Sequence, residues 1–309
     1  MIIREYYQPE APDPVLDADV VLALARRHLD QAHRVTGIDE SGGEARVYFI
    51  DDNIVMKTQR PQQLRSWTSL AKEIVFLNQI AKDDPTLPVP RVLGYGHEES
   101  VEYTLMTRMA GDAAVRAGIP DTQKAESLRE LGGVVRRIHA IDQAPLRTSG
   151  QFPEEFTPED LKLSLVEDIE DFARRFTENQ IGWPLEIHSE SLLEKLLQRV
   201  PDEAWPIALH TNPGPTHTFV DPLTGAFRGL IDFGDAYIGH PVFDLWQWGE
   251  PEARDAVFQG YLTAGSALPD AFGPMWEVAQ VISDFVAVIR ERPYAQKSIS
   301  HLQDLTRAW

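Results

Sequence analysis

Between residues 210 and 236 the chain reads HTNPGPTHTFVDPLTGAFRGLIDFGDA. This stretch carries imidazoles at His210 and His217, a carboxamide at Asn212 and carboxylates at Asp232 and Asp235. Two alternating runs, Thr218 to Val220 and Phe227 to Ile231, flank Asp221-Pro222-Leu223-Thr224-Gly225. A polar turn with proline and glycine between short alternating runs predicts a hairpin. The hairpin should fold His210, Asn212 and His217 back beside Asp232. A carboxylate, an imidazole and a carboxamide at one hairpin mouth suit a metal-phosphate site, since hard oxygen ligands hold Mg²⁺ and the ion holds phosphate.

Other parts of the chain must hold the phosphates. Val35 to Glu44 reads as punctuation, with Ser41-Gly42-Gly43 at its centre. Arg46 to Ile50 and Ile54 to Thr58 then alternate as two strands around a turn at Asp51-Asp52-Asn53. Glycine lets backbone approach phosphate oxygens closely. Lys57, on the strand after the loop, can bind phosphate as a point charge. Ser66 to Ala81 has helical periodicity, with Leu70, Ile74, Leu77 and Ile80 on one side and Glu73 beside them. Taken singly, the loop is a hairpin turn, Lys57 an edge residue and Glu73 a solvated charge. In this order they read as a phosphate-binding lysine and the acid that orients it.

These residues resemble the aminoglycoside phosphotransferase family of antibiotic kinases. The family pattern is His-Gly-Asp, four intervening residues, Asn or His, then a short hairpin and Ile-Asp-Phe/Trp-Gly-Asp. His210 matches its first histidine, His217 its first metal-ligand position and Asp232 its second. Histidine at the first ligand position resembles the aminoglycoside 2''-phosphotransferases and the macrolide kinases. Asn212 stands where the family has its catalytic aspartate. Met106-Thr107-Arg108-Met109 resembles the hinge, so Thr107 and Met109 would pair with the purine edge and Met106 would close the pocket behind it. Asp244 matches an aspartate that braces the catalytic loop, and His139 a histidine of the core.

The resemblance, running from about Gly37 to Leu245, implies an α+β, bilobal, protein-kinase-like fold. A small antiparallel-sheet lobe would span residues 1–106 and a mainly helical lobe residues 107–309. It also implies Mg²⁺ with ATP or GTP as cofactors and a small-molecule hydroxyl as acceptor. Asn212 argues for impaired transfer, because a carboxamide has one acceptor oxygen and no useful basicity. A nucleotide-binding module without catalysis is the alternative, and a scaffold that binds only cations is a third reading.

Beyond the hinge, Thr122 to Ile141 predicts a long helix interrupted by Gly132-Gly133, a pair that suggests close packing. The segment 151–200 holds twelve Asp and Glu against five Lys and Arg. Its helical runs are Pro158 to Thr177 and Ser189 to Val200, interspersed with Phe152, Phe156, Phe172, Phe176 and Trp183. Such an insert suits a polycationic ligand through ion pairs and cation–π contacts. Core aromatics under a solvated acidic face explain the same pattern. Tyr237 to Leu245 should lead into a helix, and Glu252 to Ala264 and Pro274 to Arg290 read as two more.

With 309 residues and 43% hydrophobic content the chain can bury a full core. The net charge of −19 argues against nucleic acid, whose phosphates need basic partners. No cysteine is present, so disulfides and thiolate metal sites are excluded. The first residues, MIIREYYQPEAPDP, lack the pattern of a signal peptide. No apolar run approaches the roughly 20 residues of a membrane span. The expectation is a soluble cytoplasmic protein with no membrane partner.

Overall fold

The computed structural model describes residues 12–63, 65, 68–152, 157–203, 205, 207–265 and 267–309. The chain divides into two compact units. One comprises Met1–Gly118, Ala140–Pro153 and Thr216–Tyr237; the other comprises Ile119–His139, Glu154–Pro215 and Ile238–Trp309. The architecture is α+β, as the resemblance implied, with an antiparallel five-stranded sheet and a helical portion. The division places the hairpin with the sheet rather than with the helices. A pairing accounts for this: the short strand Asp112–Ala113 binds the hairpin's first strand at Asp112↔Val220.

In the sheet unit, helix α1 (Ala18–Ala25) precedes β1 (Val35–Asp39), β2 (Ala45–Ile50), β3 (Ile54–Gln59), helix α2 (Leu70–Asp83), β4 (Val92–Glu98) and β5 (Val101–Thr107). The strand order is β1-β2-β3-β5-β4. Side chains alternate across the strands, so the two faces differ. Tyr48, Ile50, Ile54, Met56, Tyr103 and Leu105 form one apolar core with Val21, Leu22, Leu24 and Ala25 of α1. The opposite face carries Lys57, which stands across from Thr104, and Thr104 stands across from Tyr95. A one-residue slip of β3 would send Lys57 into the apolar core.

Strand β1 corrects the reading of 35–44 as punctuation throughout. Its residues Val-Thr-Gly-Ile-Asp pair with β2, and only the remainder is loop. Helix α2 begins later than expected. Ser69 caps it, its hydroxyl accepting from Lys72 N at 3.2 Å. Ser66 and Trp67 of the expected helix lie outside the described residues.

Strand β6 (Asp112–Ala113), the short α3 (Ala114–Ala117), β8 (Thr218–Val220) and β9 (Phe227–Leu230) complete this unit, with α5 (Ala144–Thr148). The hairpin pairs as expected, at Thr218↔Leu230 and Phe219↔Gly229. Its turn is built by Asp221, whose carboxylate accepts from Leu223 N and Thr224 N at 3.0 Å each.

The helical unit contains α4 (Asp121–His139), α6 (Pro158–Glu178), α7 (Ser189–Leu197), α8 (Pro251–Thr263), α9 (Phe272–Ile289) and α10 (Ala295–Arg307). A short ladder joins β7 (Ile207–Leu209) to β10 (Tyr237–Gly239). The glycine pair in α4 splits. A Cβ at Gly132 would meet Val257 O of α8 at 1.9 Å, whereas Gly133 has only ordinary contacts. The stretch expected to lead into a helix, Tyr237 to Leu245, forms β10 and one 3-10 turn, Pro241–Asp244, and the next α-helix, α8, begins at Pro251.

The aromatics of the acidic insert resolve toward packing. Phe172 stacks on Phe285 of α9 at 5.3 Å, and Trp183 lies 5.1 Å from the same ring. Phe176 meets both. These rings are therefore core, while Phe152 packs against Phe76 in the sheet unit. Phe156 lies outside the described residues. Among the described residues α9 alone is long and apolar enough to cross a membrane, and most of it is buried in the protein.

Candidate active site

The charged centre of the sheet unit grows from three elements. Strand β3 supplies Lys57, helix α2 supplies Glu73, and the segment after β9 supplies Asp232. Lys57 Nζ donates to Glu73 Oε2 at 2.7 Å and to Asp232 Oδ1 at 2.8 Å. The hairpin delivers the fourth member. Ile231 N donates to His217 O at 3.1 Å, so the next residue, Asp232, falls beside the imidazole. His217 Nε2 lies 3.3 Å from Asp232 Oδ2. Thus the structure brings Lys57, Glu73, His217 and Asp232 together.

Burial and charge set the protonation states. Glu73 is 1% exposed, and burial pushes its carboxyl up while the Lys57 ammonium draws it back. Phe233 N also donates to Glu73 Oε1, at 3.2 Å. Burial alone would lower Lys57; Asp232 and Glu73 together more than offset it and hold the ammonium above the ordinary lysine range. A charged lysine at neutral pH follows. Asp232, with 42% of its side chain exposed, adopts φ 71°, the left-handed region that a non-glycine residue occupies at about 1–3 kcal/mol.

That carboxylate is well placed for a cation. Mg²⁺ takes one or two protein carboxylates and completes its shell with phosphate and water. Among the described residues no group of three or more His, Asp or Glu side chains could hold a metal unaided. The donor set of Asp232 with His217 would suit an ion that completes its shell with phosphate and water. Asp232 would supply the anionic oxygen, and His217 a neutral ring nitrogen or a water contact.

The loop residues Ser41, Gly42 and Gly43 are exposed. Ser41 N and Oγ both donate to Asp39 Oδ1, at 2.8 and 2.6 Å. The guanidinium of Arg60 holds Gly42 O at 3.2 Å. At the expected hinge, Met106 is buried at 2% exposure and Thr107 N donates to Arg91 O at 2.9 Å. Met109 packs on Gly229 so closely that a Cβ there would stand 2.1 Å from its methyl carbon.

His210 and Asn212 belong to the helical unit. Asp244 organises their loop, accepting from His210 N at 2.8 Å, Thr211 N at 2.6 Å and the buried His139 ring at 2.9 Å. Gln247 Nε2 donates to Thr211 O at 2.9 Å. His210 is fully buried, and its Nδ1 receives Asn212 N at 3.2 Å. Thr211 sits at φ 78° where the resembled pattern has glycine; for a β-branched residue this is a marked outlier. The resemblance had pointed to Asp244 and His139, but nothing in the sequence signalled Gln247, whose side-chain amide donates to the backbone carbonyls of Thr211 and Phe243.

The sequence model described as "phosphotransferase enzyme family" (APH) matches residues 35–278. Among solved structures, the GDP complex of aminoglycoside 2'-phosphotransferase-IIIa is similar at a TM-score of 0.63 and 16% identity, over 95% of this chain and 99% of that one. ADP-bound aminoglycoside phosphotransferase APH(2'')-Ib gives 0.57 and 16%, over 93% and 97%. Macrolide 2'-phosphotransferase type I gives 0.53 and 18%, over 92% and 96%.

Proposed function

Because this chain belongs to the phosphotransferase enzyme family, we propose that it binds Mg²⁺ with ATP or GTP and transfers the γ-phosphoryl group to a small-molecule hydroxyl, slowly. The observation that carries the reading is Lys57 bridging Glu73 and Asp232, with His217 against the same carboxylate. That is an arrangement of fixed charge suited to polyphosphate. Two of the similar structures hold GDP and ADP, which agrees with a purine nucleotide here.

The residues divide the work. Lys57 neutralises phosphate charge, and Glu73 fixes where its ammonium points. Asp232 and His217 would hold the magnesium ion, whose contribution is to neutralise charge on the phosphate oxygens. Ser41, Gly42 and Gly43 would present backbone to phosphate, and Met106, Thr107 and Met109 would frame the base. In the transfer, the acceptor oxygen bonds to the γ-phosphorus as the bond to the β,γ-bridging oxygen breaks, and the hydroxyl proton leaves late, to solvent water or to an oxygen of the transferred phosphoryl group. Asn212 can accept a hydrogen bond from that hydroxyl but cannot take the proton. Loss of a general base lowers rates by about 10²–10⁴-fold.

Asn212 and the strained Thr211 before it favour a second reading, a nucleotide-binding module without turnover. Asn212→Asp separates the two. A gain of about 10²–10⁴-fold in nucleotide turnover identifies a kinase with a weakened base, and no gain identifies the module. Titration with Mg-ATP and Mg-GTP tests both, because a ligand bound only by the folded state must raise the melting temperature. If neither nucleotide shifts it, both readings fail.

A further inference from the structure

One cation joins the glycine-bearing loop to the Asp232 loop. Arg65, just ahead of α2, grips the Glu44 carboxylate with Nε and with Nη2, the latter at 2.9 Å from Oε2. The same Nη2 donates to Asp235 Oδ2 at 2.5 Å. Thr68 Oγ1 contacts both acids: it bonds Asp235 Oδ1 and lies 3.2 Å from Glu44 Oε1. Glu44 directly follows Gly42-Gly43, and Asp235 is three residues past Asp232. The Asp232 loop is also stapled to the start of α2. Ser69 N donates to Gly234 O at 3.3 Å, Lys72 Nζ donates to Ala236 O at 2.7 Å, and the Phe233 ring packs 5.2 Å from Phe76.

We propose that Arg65 is a positioning residue for the nucleotide, latching the glycine-bearing loop to the Asp232 loop through Glu44 and Asp235. The inference rests on the nucleotide reading above. A planar guanidinium can fork onto one carboxylate with two nitrogens and still reach another, whereas an ammonium must serve both acids from a single nitrogen. Without it, the two carboxylates that it now bridges would face each other near the proposed polyphosphate site. The Arg65 side chain is 48% exposed, so salt should weaken the latch.

The test uses the full chain with Arg65→Ala and Arg65→Lys. Arg65→Ala should bind Mg-ATP or Mg-GTP about tenfold more weakly at low salt, with Arg65→Lys between it and the parent. Added salt should weaken the parent more than Arg65→Ala. In nucleotide affinity, Glu44→Gln and Asp235→Asn should be non-additive in the parent, and either one should recover part of the affinity lost in Arg65→Ala by removing one of two repelling carboxylates, a recovery that a merely structural arginine would not produce. Without nucleotide, amide hydrogen exchange should quicken at both 40–44 and 232–236 in Arg65→Ala. Unchanged affinity with unchanged exchange would overturn the latch. If the parent binds neither nucleotide, the proposed function falls, and the exchange measurement still decides the latch. Should Arg65→Ala fail to fold, as melting curves would reveal, Arg65→Lys carries the same comparisons.

Discussion

The two loops that bear the site residues are held by different means. In the sheet unit the candidate functional side chains are themselves the struts: Lys57, Glu73 and Asp232 brace one another. In the helical unit the strut is Asp244, which binds the backbone of His210 and Thr211 rather than any side chain at 212. Asp244 thus anchors the loop through backbone groups that any residue at 212 would leave in place, whereas Lys57 and Asp232 hold their neighbours by their own charge.

Truncating the central lysine would break the comparison most visibly. Lys57→Ala leaves Glu73 buried with its cation gone, at about 3–5 kcal/mol by urea unfolding at pH 7. A loss below about 1 kcal/mol would mean that these groups are not struts. Asp244→Asn should cost about 2–3 kcal/mol, since charge-assisted hydrogen bonds become neutral ones. Amide exchange at His210 and Thr211 should quicken with it, and slow exchange there would deny Asp244 its role.

A smaller effect sharpens the contrast on the sheet side. Glu102 lies on the face that carries Lys57, at 1% exposure, and accepts from the Tyr95 hydroxyl at 2.7 Å. Burial pushes its carboxyl up to about 7. The folded state thus holds this proton more tightly than the unfolded chain does, so stability falls as pH rises from about 4.5 to 7. Glu102→Gln should remove that dependence and gain about 2 kcal/mol at pH 8 relative to pH 5. Identical pH profiles for parent and variant would refute it. The smallest change is Thr211→Gly, which relieves the left-handed backbone and should stabilise by about 1 kcal/mol, read as a higher melting temperature. A lower melting temperature would show that the threonine side chain holds more than its φ angle strains.

Much of this was legible in one dimension. Alternation marked β2, β3, β8 and β9, and the Asp-Pro-Leu-Thr-Gly turn fixed which strands pair, so His217 beside Asp232 followed from local chemistry. Helical periodicity placed Glu73 next to the apolar stripe of α2, hence within reach of the sheet. Strand β1 was hidden because Gly37 and two polar residues dilute its five positions. Helix α10 was hidden because Ile299, Leu302 and Leu305 are its only large apolar side chains, a narrow stripe although they recur at helical spacing.

By itself the sequence determined the residue types, their order and the short-range turns, because these depend on neighbours a few positions apart. Tertiary structure alone decided that Lys57 serves two acids, one of them 175 residues away. It also decided that Phe172, Phe176 and Trp183 of the insert pack on Phe285 of α9, and that Arg65 spans two loops. Such contacts depend on desolvation and on distances between remote segments, and no periodicity along the chain encodes either.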